Sequence, residues 1–420
     1  MSPSTNSNRR AGPRTGLALA LLLLLAAACG GGGDGGSPPA SSVSAAPAAS
    51  ARNSLPVTVD SGPSGGGNVN LLYASVTVCV PGSAGSCQDI DHVLVDTGST
   101  GLRLLASALG AAQALPAQTD VEGNALAECA LFADGYTWGS VRLADVRLAG
   151  ETAASLPVQV IADAAFPTTP TSCVDRGGVV ENDVASLSAK GILGLAAFVH
   201  DCGAACAQNA VAGAYYVCPA GACRPVAVAL DRQVQQPVAR LAVDNNGVIL
   251  DLPALPAAGA ATVAGTLILG IGTQANNALG NAQRLDLDAG GNFKTQFNGR
   301  TLTAFIDSGS NAYFFPDRSI TVCGPGSGAA GFYCPAATLD LSATLLGAGN
   351  GSSAAVSFSV ASAAALLGGN PSFSAFANLG GPAALTAAFD WGLPFFFGRR
   401  VYTAIEQRST PGGPGPYVAF

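Results

Sequence analysis

The chain has 420 residues, of which 49% are hydrophobic and 11% charged, with a formal net charge of -7. That length allows one large or two medium domains with a sizeable buried core. Lys190 and Lys294 are the only lysines, so no basic surface exists for nucleic acid. The apolar share is largely alanine plus an N-terminal leucine run, which does not make a membrane bundle.

At the N-terminus, Arg9, Arg10 and Arg14 precede an apolar run over 17–27, which leads into Ala26-Ala27-Ala28-Cys29. A basic segment, a short apolar stretch and small residues before a cut form a secretory signal, too short for a spanning helix. Small residues leading into a cysteine resemble a bacterial lipobox. The resemblance implies that 1–29 is a lipoprotein signal peptide and that Cys29 becomes the lipidated first residue of the mature chain. Membrane attachment then runs through this lipid alone. Gly30 follows where an aspartate would favour inner-membrane retention, so the expected location is the cell envelope, lipid-anchored at the outer membrane. Residues 30–54 are Gly, Ser, Pro and Ala with little else, the composition of a flexible tether.

Without Cys29, ten cysteines remain. In an oxidising compartment an even number predicts up to five disulfides. Cys79 and Cys87 flank a Gly/Ser-rich turn, as do Cys323 and Cys334. His200, Cys202, Cys206, Cys218 and Cys223 cluster, but their spacing matches no closed zinc template. Neither a metal nor a cofactor is expected.

From about Leu71 the pattern becomes that of strands. Val76, Val78 and Val80 alternate with Ser75, Thr77 and Cys79, the period of a half-buried strand. Short runs such as Val93-Leu94-Val95, Val141-Arg142-Leu143 and Leu267-Ile268-Leu269 follow between Gly, Pro and Asn turns. The body is therefore predicted to be all-β, with many short strands and long loops.

The plan of the chain repeats. Val93-Leu94-Val95-Asp96-Thr97-Gly98-Ser99 recurs as Ala304-Phe305-Ile306-Asp307-Ser308-Gly309-Ser310. Two apolar residues and a glycine follow each copy at nearly equal spacing, Ile192-Leu193-Gly194 and Phe396-Phe397-Gly398. The repeat predicts two related lobes, 55–240 and 241–420. Each motif asks for a sharp loop that delivers a carboxylate from a strand end. Gly98 and Gly309 let the backbone turn tightly with a free amide, and the hydroxyls of Thr97 and Ser308 can reach across to the partner loop. Ser99 and Ser310 can each donate to the neighbouring aspartate. Two unit charges ~3 Å apart at an effective dielectric of ~20 repel by about 5 kcal/mol, so such a pair holds one shared proton over a wide acidic range.

These paired motifs resemble those of the pepsin-like aspartic peptidases over about residues 70–420. The resemblance implies a bilobal all-β fold of two barrel-like lobes with a cleft between them, and Asp96 and Asp307 as catalytic aspartates. It implies that Ile192-Leu193-Gly194 and Phe396-Phe397-Gly398 thread beneath the two catalytic loops. Tyr136-Thr137-Trp138-Gly139-Ser140 resembles the flap hairpin, with Tyr136 and Gly139 as flap residues. Arg103 departs from the family, standing where many members carry a tryptophan that bonds the flap tyrosine. The chain also resembles a bacterial lipoprotein family whose domain has no assigned function.

The activity so implied is endopeptidase cleavage of a peptide or protein substrate by a water activated between two aspartates, in a monomer carrying both half-sites. The alternative is a catalytically silent surface lipoprotein binding a peptide, glycan or partner protein in the same cleft. His92 and His200 are the only histidines, and neither stands in a nucleophile-elbow context. Trp138 and Trp391 read as packing residues.

Overall fold

A computed structural model describes residues 42–44, 52–63, 67–110, 114–175, 178–349, 351–383 and 388–420. The alternation read in the sequence becomes strand. Leu72–Cys79 carries Val76 and Val78 inward with Ser75 outward. The chain is nearly all β, with 42% of it in strands and 11% in helix, and its sheets are barrel-like.

Among the described residues the strands form a sheet of seventeen, a sheet of seven and a two-stranded ribbon. The large sheet is not confined to one half of the sequence. Ser54–Val59 pairs with Leu72–Cys79 on one side and, over six residues, with Thr262–Leu269 on the other. Gly247–Leu252 lies between Thr262–Leu269 and Arg399–Ala404. The segment near 54 thus ties the two sequence halves together, and the described residues fold as one compact unit.

This corrects the end of the expected tether. Asn53 is buried and donates to the Leu269 carbonyl at 2.9 Å, and Ser54 opens a strand. Ser42–Ser44 also lies parallel to residues 262–264. The signal segment and Cys29 lie outside the described residues.

The seven-stranded sheet, drawn from residues 293–391, carries an aromatic core. Phe315, Phe389 and Trp391 stack at 5.0 and 4.2 Å, with Phe297 and Phe358 edge-on to Phe389. Trp391 Nε1 donates to Thr295 Oγ1 at 3.0 Å, which satisfies its one polar atom in the core. Trp138 is likewise buried, its Nε1 bonded to the Phe166 carbonyl. Both tryptophans pack, as their sequence context suggested.

All ten cysteines of the body pair, as 79–87, 129–173, 202–206, 218–223 and 323–334. The four cysteines near His200 therefore have no thiolate to offer a metal.

Candidate active site

Strand Cys87–Asp96 ends on the first aspartate and Arg300–Ile306 stops one residue before the second. Each carboxylate is gripped by its own loop. Asp96 Oδ1 accepts from the amides of Gly98 (2.7 Å) and Ser99 (3.2 Å), and the Ser99 hydroxyl donates to Oδ2. Asp307 Oδ1 accepts from the Gly309 amide and Oδ2 from the Ser310 hydroxyl, both at 2.8 Å.

The loops are also fastened to each other. The Thr97 amide donates to Ser308 Oγ at 3.1 Å, and the Ser308 amide donates to Thr97 Oγ1 at 3.0 Å. Each hydroxyl then passes its hydrogen to a carbonyl of the opposite strand, Thr97 to Ile306 and Ser308 to Val95.

The glycines are required by contact. A Cβ on Gly98 would lie 2.7 Å from Asp307 Oδ1. A Cβ on Gly309 would lie 2.7 Å from Asp96 Oδ1 and 3.1 Å from Asp307 Oδ1. Each loop's glycine therefore leans on the other loop's carboxylate, and the two acids come within hydrogen-bond reach. Gly98 is exposed while Asp96 is 6% exposed, so the pair opens to solvent through its glycine side. Burial, then the Asp96 carboxyl, then that of Asp390 push Asp307 well above the usual carboxylate range.

Beneath the first loop runs Gly191–Leu195, parallel to Cys87–Asp96 with Leu193 opposite Val95 and Gly194 opposite Asp96. The Ala196 amide closes on the Ser99 carbonyl at 2.8 Å. The equivalent strand under the second loop is not Phe396-Phe397-Gly398. It is Ala388–Trp391, parallel to Arg300–Ile306 with Trp391 opposite Ile306. The Asp307 amide donates to the Trp391 carbonyl, and the Leu393 amide donates to the Ser310 carbonyl at 2.7 Å. Gly392 fits because a Cβ there would meet the Ala312 carbonyl oxygen at 2.2 Å. Phe396 instead closes a 3₁₀ turn, Leu393–Phe396, and Gly398 (φ +78°) leads into Arg399–Ala404.

The flap expectation also needs correction. The hairpin exists, between Leu126–Leu131 and Gly135–Leu148. Tyr136, however, sits just past its turn, 6% exposed, in a cluster with Cys129, Trp138 and Cys173. The aromatic at the turn is Phe132, which packs on the opposite cluster with Tyr73, Leu94 and Ile192. Gly139 is not at a tip: a Cβ there would lie 1.8 Å from the Val160 carbonyl oxygen of the neighbouring strand.

Arg103 has its own partners in place of a tyrosine. Its guanidinium, 3% exposed, donates to Glu128 at 2.7 Å and to the Thr100 carbonyl at 2.6 Å, and lies 3.3 Å from Asp201. Asp201 accepts from the Tyr215 hydroxyl at 2.6 Å, and burial followed by the Glu128 charge raises its pKa well above normal. One cation faces two carboxyls, and a proton on Asp201 balances the cluster. The guanidinium also lies 6.0 Å from the Phe132 ring centre. His92 bonds Asp91 at 2.8 Å and approaches Asp60 at 3.4 Å, a structural role.

Sequence reasoning missed Asp390. It is 8% exposed, and burial raises its pKa to about 8. The available signal was a lone acid inside the apolar run Phe389-Asp390-Trp391.

Fold and site together define a disulfide-bonded all-β protein with two interlocked Asp-Thr/Ser-Gly-Ser loops that present paired carboxylates. The chain belongs to the family described as a protein of unknown function (DUF3443), whose model matches residues 49–420. No curated protein matches it.

Proposed function

We propose that the chain is an aspartic-type endopeptidase of pepsin-like, bilobal design. The observation that carries the reading is the reciprocal clamp, in which Thr97 and Ser308 hold two carboxylates together although like charges repel. A protein gains nothing structural from forcing two acids into contact, whereas a shared proton is what acid–base hydrolysis requires.

The chemistry follows from that proton. The ionised aspartate takes a hydrogen from a water as its oxygen adds to the substrate carbonyl, while the protonated aspartate gives its hydrogen to the carbonyl oxygen. A tetrahedral diol results, with no covalent bond to the protein. Its collapse breaks the C–N bond as the leaving amine takes up a proton, and the aspartates return to one proton between them. Peptide or protein chains are the substrates, reached from the exposed Gly98 side. Both aspartates come from one chain, so a monomer suffices. The five disulfides support an exported body, held at the outer membrane through lipid on Cys29.

Digestion of a peptide library from about pH 3 to pH 7 tests the reading. Cleavage should favour acid, stop with Asp96→Asn or Asp307→Asn, and be blocked by a statine-type inhibitor. Undiminished turnover in either variant eliminates the mechanism. Ligand retention with no product at any pH points to the silent binder.

A further inference from the structure

The strands beneath the two loops differ in polarity at one position facing the loop-bearing strand. In the first, Ile192 lies opposite Leu94, apolar and 2% exposed. In the second, the equivalent place opposite Phe305 is Asp390. Its strand is paired on both edges, with Arg300–Ile306 on one and Tyr313–Phe314 on the other, and the residue is 8% exposed. Its Oδ1 is buried and has no hydrogen-bond partner. An ionised acid so placed carries a penalty of several kcal/mol.

The Ser310 hydroxyl donates to Asp307 Oδ2 at 2.8 Å, and the same side chain lies close enough to Asp390 to bear on its titration. A hydroxyl has one hydrogen. While that hydrogen is on Asp307, Ser310 can serve Asp390 only as an acceptor, and Asp390 can reach it only as the carboxylic acid. The surrounding charges agree. Those bearing on Asp390 and its serine are the carboxyls of Asp96 and Asp307, both of the same sign. The Tyr313 phenol on the adjoining strand is kept neutral by burial. Arg399, the nearby cation, bonds the Phe395 carbonyl at 2.6 Å and lies over the Phe395 ring.

We propose that Asp390 is a positioning residue of the aspartate pair, a neutral acid whose hydrogen, given to Ser310, fixes the serine as donor to Asp307. Ionisation of Asp390 withdraws that hydrogen, frees Ser310 to turn toward the new carboxylate, and sets a third negative charge beside the pair. The alkaline end of activity is then set by a residue outside the two catalytic loops. This rests on the aspartic peptidase reading for its consequence in turnover, but not for the protonation itself.

The test uses the full chain labelled with ¹³C-carboxyl aspartate, followed by infrared spectroscopy from about pH 4 to pH 10. The wild type should show a carboxylic-acid band that vanishes with a midpoint of about 8. Asp390→Asn should lack this component while keeping the one due to the catalytic pair. In the peptide assay, Asp390→Leu should lose about tenfold in kcat/KM, the worth of one hydrogen bond to a charged group. Asp390→Asn, whose amide can still donate to Ser310, should recover most of that loss and extend the alkaline limb. An acid band unchanged in Asp390→Asn, or an Asn variant no better than Leu, overturns the proposal. Absence of hydrolysis in the wild type would count against the peptidase reading alone, because the infrared comparison stands without it.

Discussion

Thr97 and Ser308, 211 positions apart, each donate a backbone amide to the other's side-chain oxygen. Four buried bonds therefore hang on two hydroxyls, counting those passed on to Ile306 and Val95. Ser308→Ala leaves the Thr97 amide and the Val95 carbonyl without these partners, at a cost of about 1–3 kcal/mol. Thr97→Val should cost a similar amount. Because the two residues share one network, the double variant should lose less than the sum of the singles. Urea melts of the four proteins measure the coupling, and strict additivity would mean the clamp is not a unit.

Much of this was legible beforehand, because the clamp and its glycines are local in sequence twice over. An apolar strand, an acid, a hydroxyl residue and a glycine leave few ways to turn. The strands beneath the loops were legible only where their residues were uniformly apolar. Ile192-Leu193-Gly194 fitted, but Asp390-Trp391-Gly392 did not, and the pattern slid onto Phe396-Phe397-Gly398. A buried acid interrupts an apolar run without marking an exposed position, so periodicity does not reveal it. The flap misled for a different reason. Tyr136 and Phe132 lie on opposite faces of one hairpin, and the face that meets the loops is decided by where the turn falls.

The turn residue gives the next expectation. Phe132 packs on the cluster that includes Leu94, on the strand leading to Asp96, and Ile192, on the strand beneath, so Phe132→Ala should lower kcat/KM by about tenfold or more through loss of substrate closure. Tyr136→Phe should leave kcat/KM within about twofold of wild type, since its ring packs with Cys129 and Cys173 away from that face. A steady-state comparison on one peptide decides, and the reverse ranking would restore Tyr136 as the lid.

Among the described residues, Arg103 is the one cation facing Glu128 and Asp201 inside the body. Arg103→Met removes the cation and leaves two buried acids facing one another, which should cost about 3–5 kcal/mol near neutral pH. The sign with pH follows from the raised Asp201 pKa. An acid raised in the fold stabilises fully below its unfolded value, and that contribution is lost as pH rises through the folded value. Without Arg103 the Asp201 acid is driven further up, so the variant should go on losing stability with rising pH over a wider range than wild type. Thermal melts from about pH 4 to pH 8 show the slope, and a pH-independent deficit would assign the loss to packing alone.

The same rule separates function from stability at the pair itself. Asp307 keeps its proton to higher pH in the fold than in the unfolded chain, so the native state binds more protons between those two values. Its stabilising contribution is complete below the unfolded value, near pH 3.8, and falls as pH rises toward the folded one. Asparagine has no proton to lose. Asp307→Asn should therefore match wild type at about pH 3 and exceed it near neutrality, by roughly 1.4 kcal/mol for each pH unit above the unfolded value over which the fold keeps the proton. The variant should be the more stable protein at neutral pH while cleaving nothing. If Asp307→Asn were instead destabilised at neutral pH, the acid would be holding the fold together, and its contact with Asp96 would need no catalytic explanation.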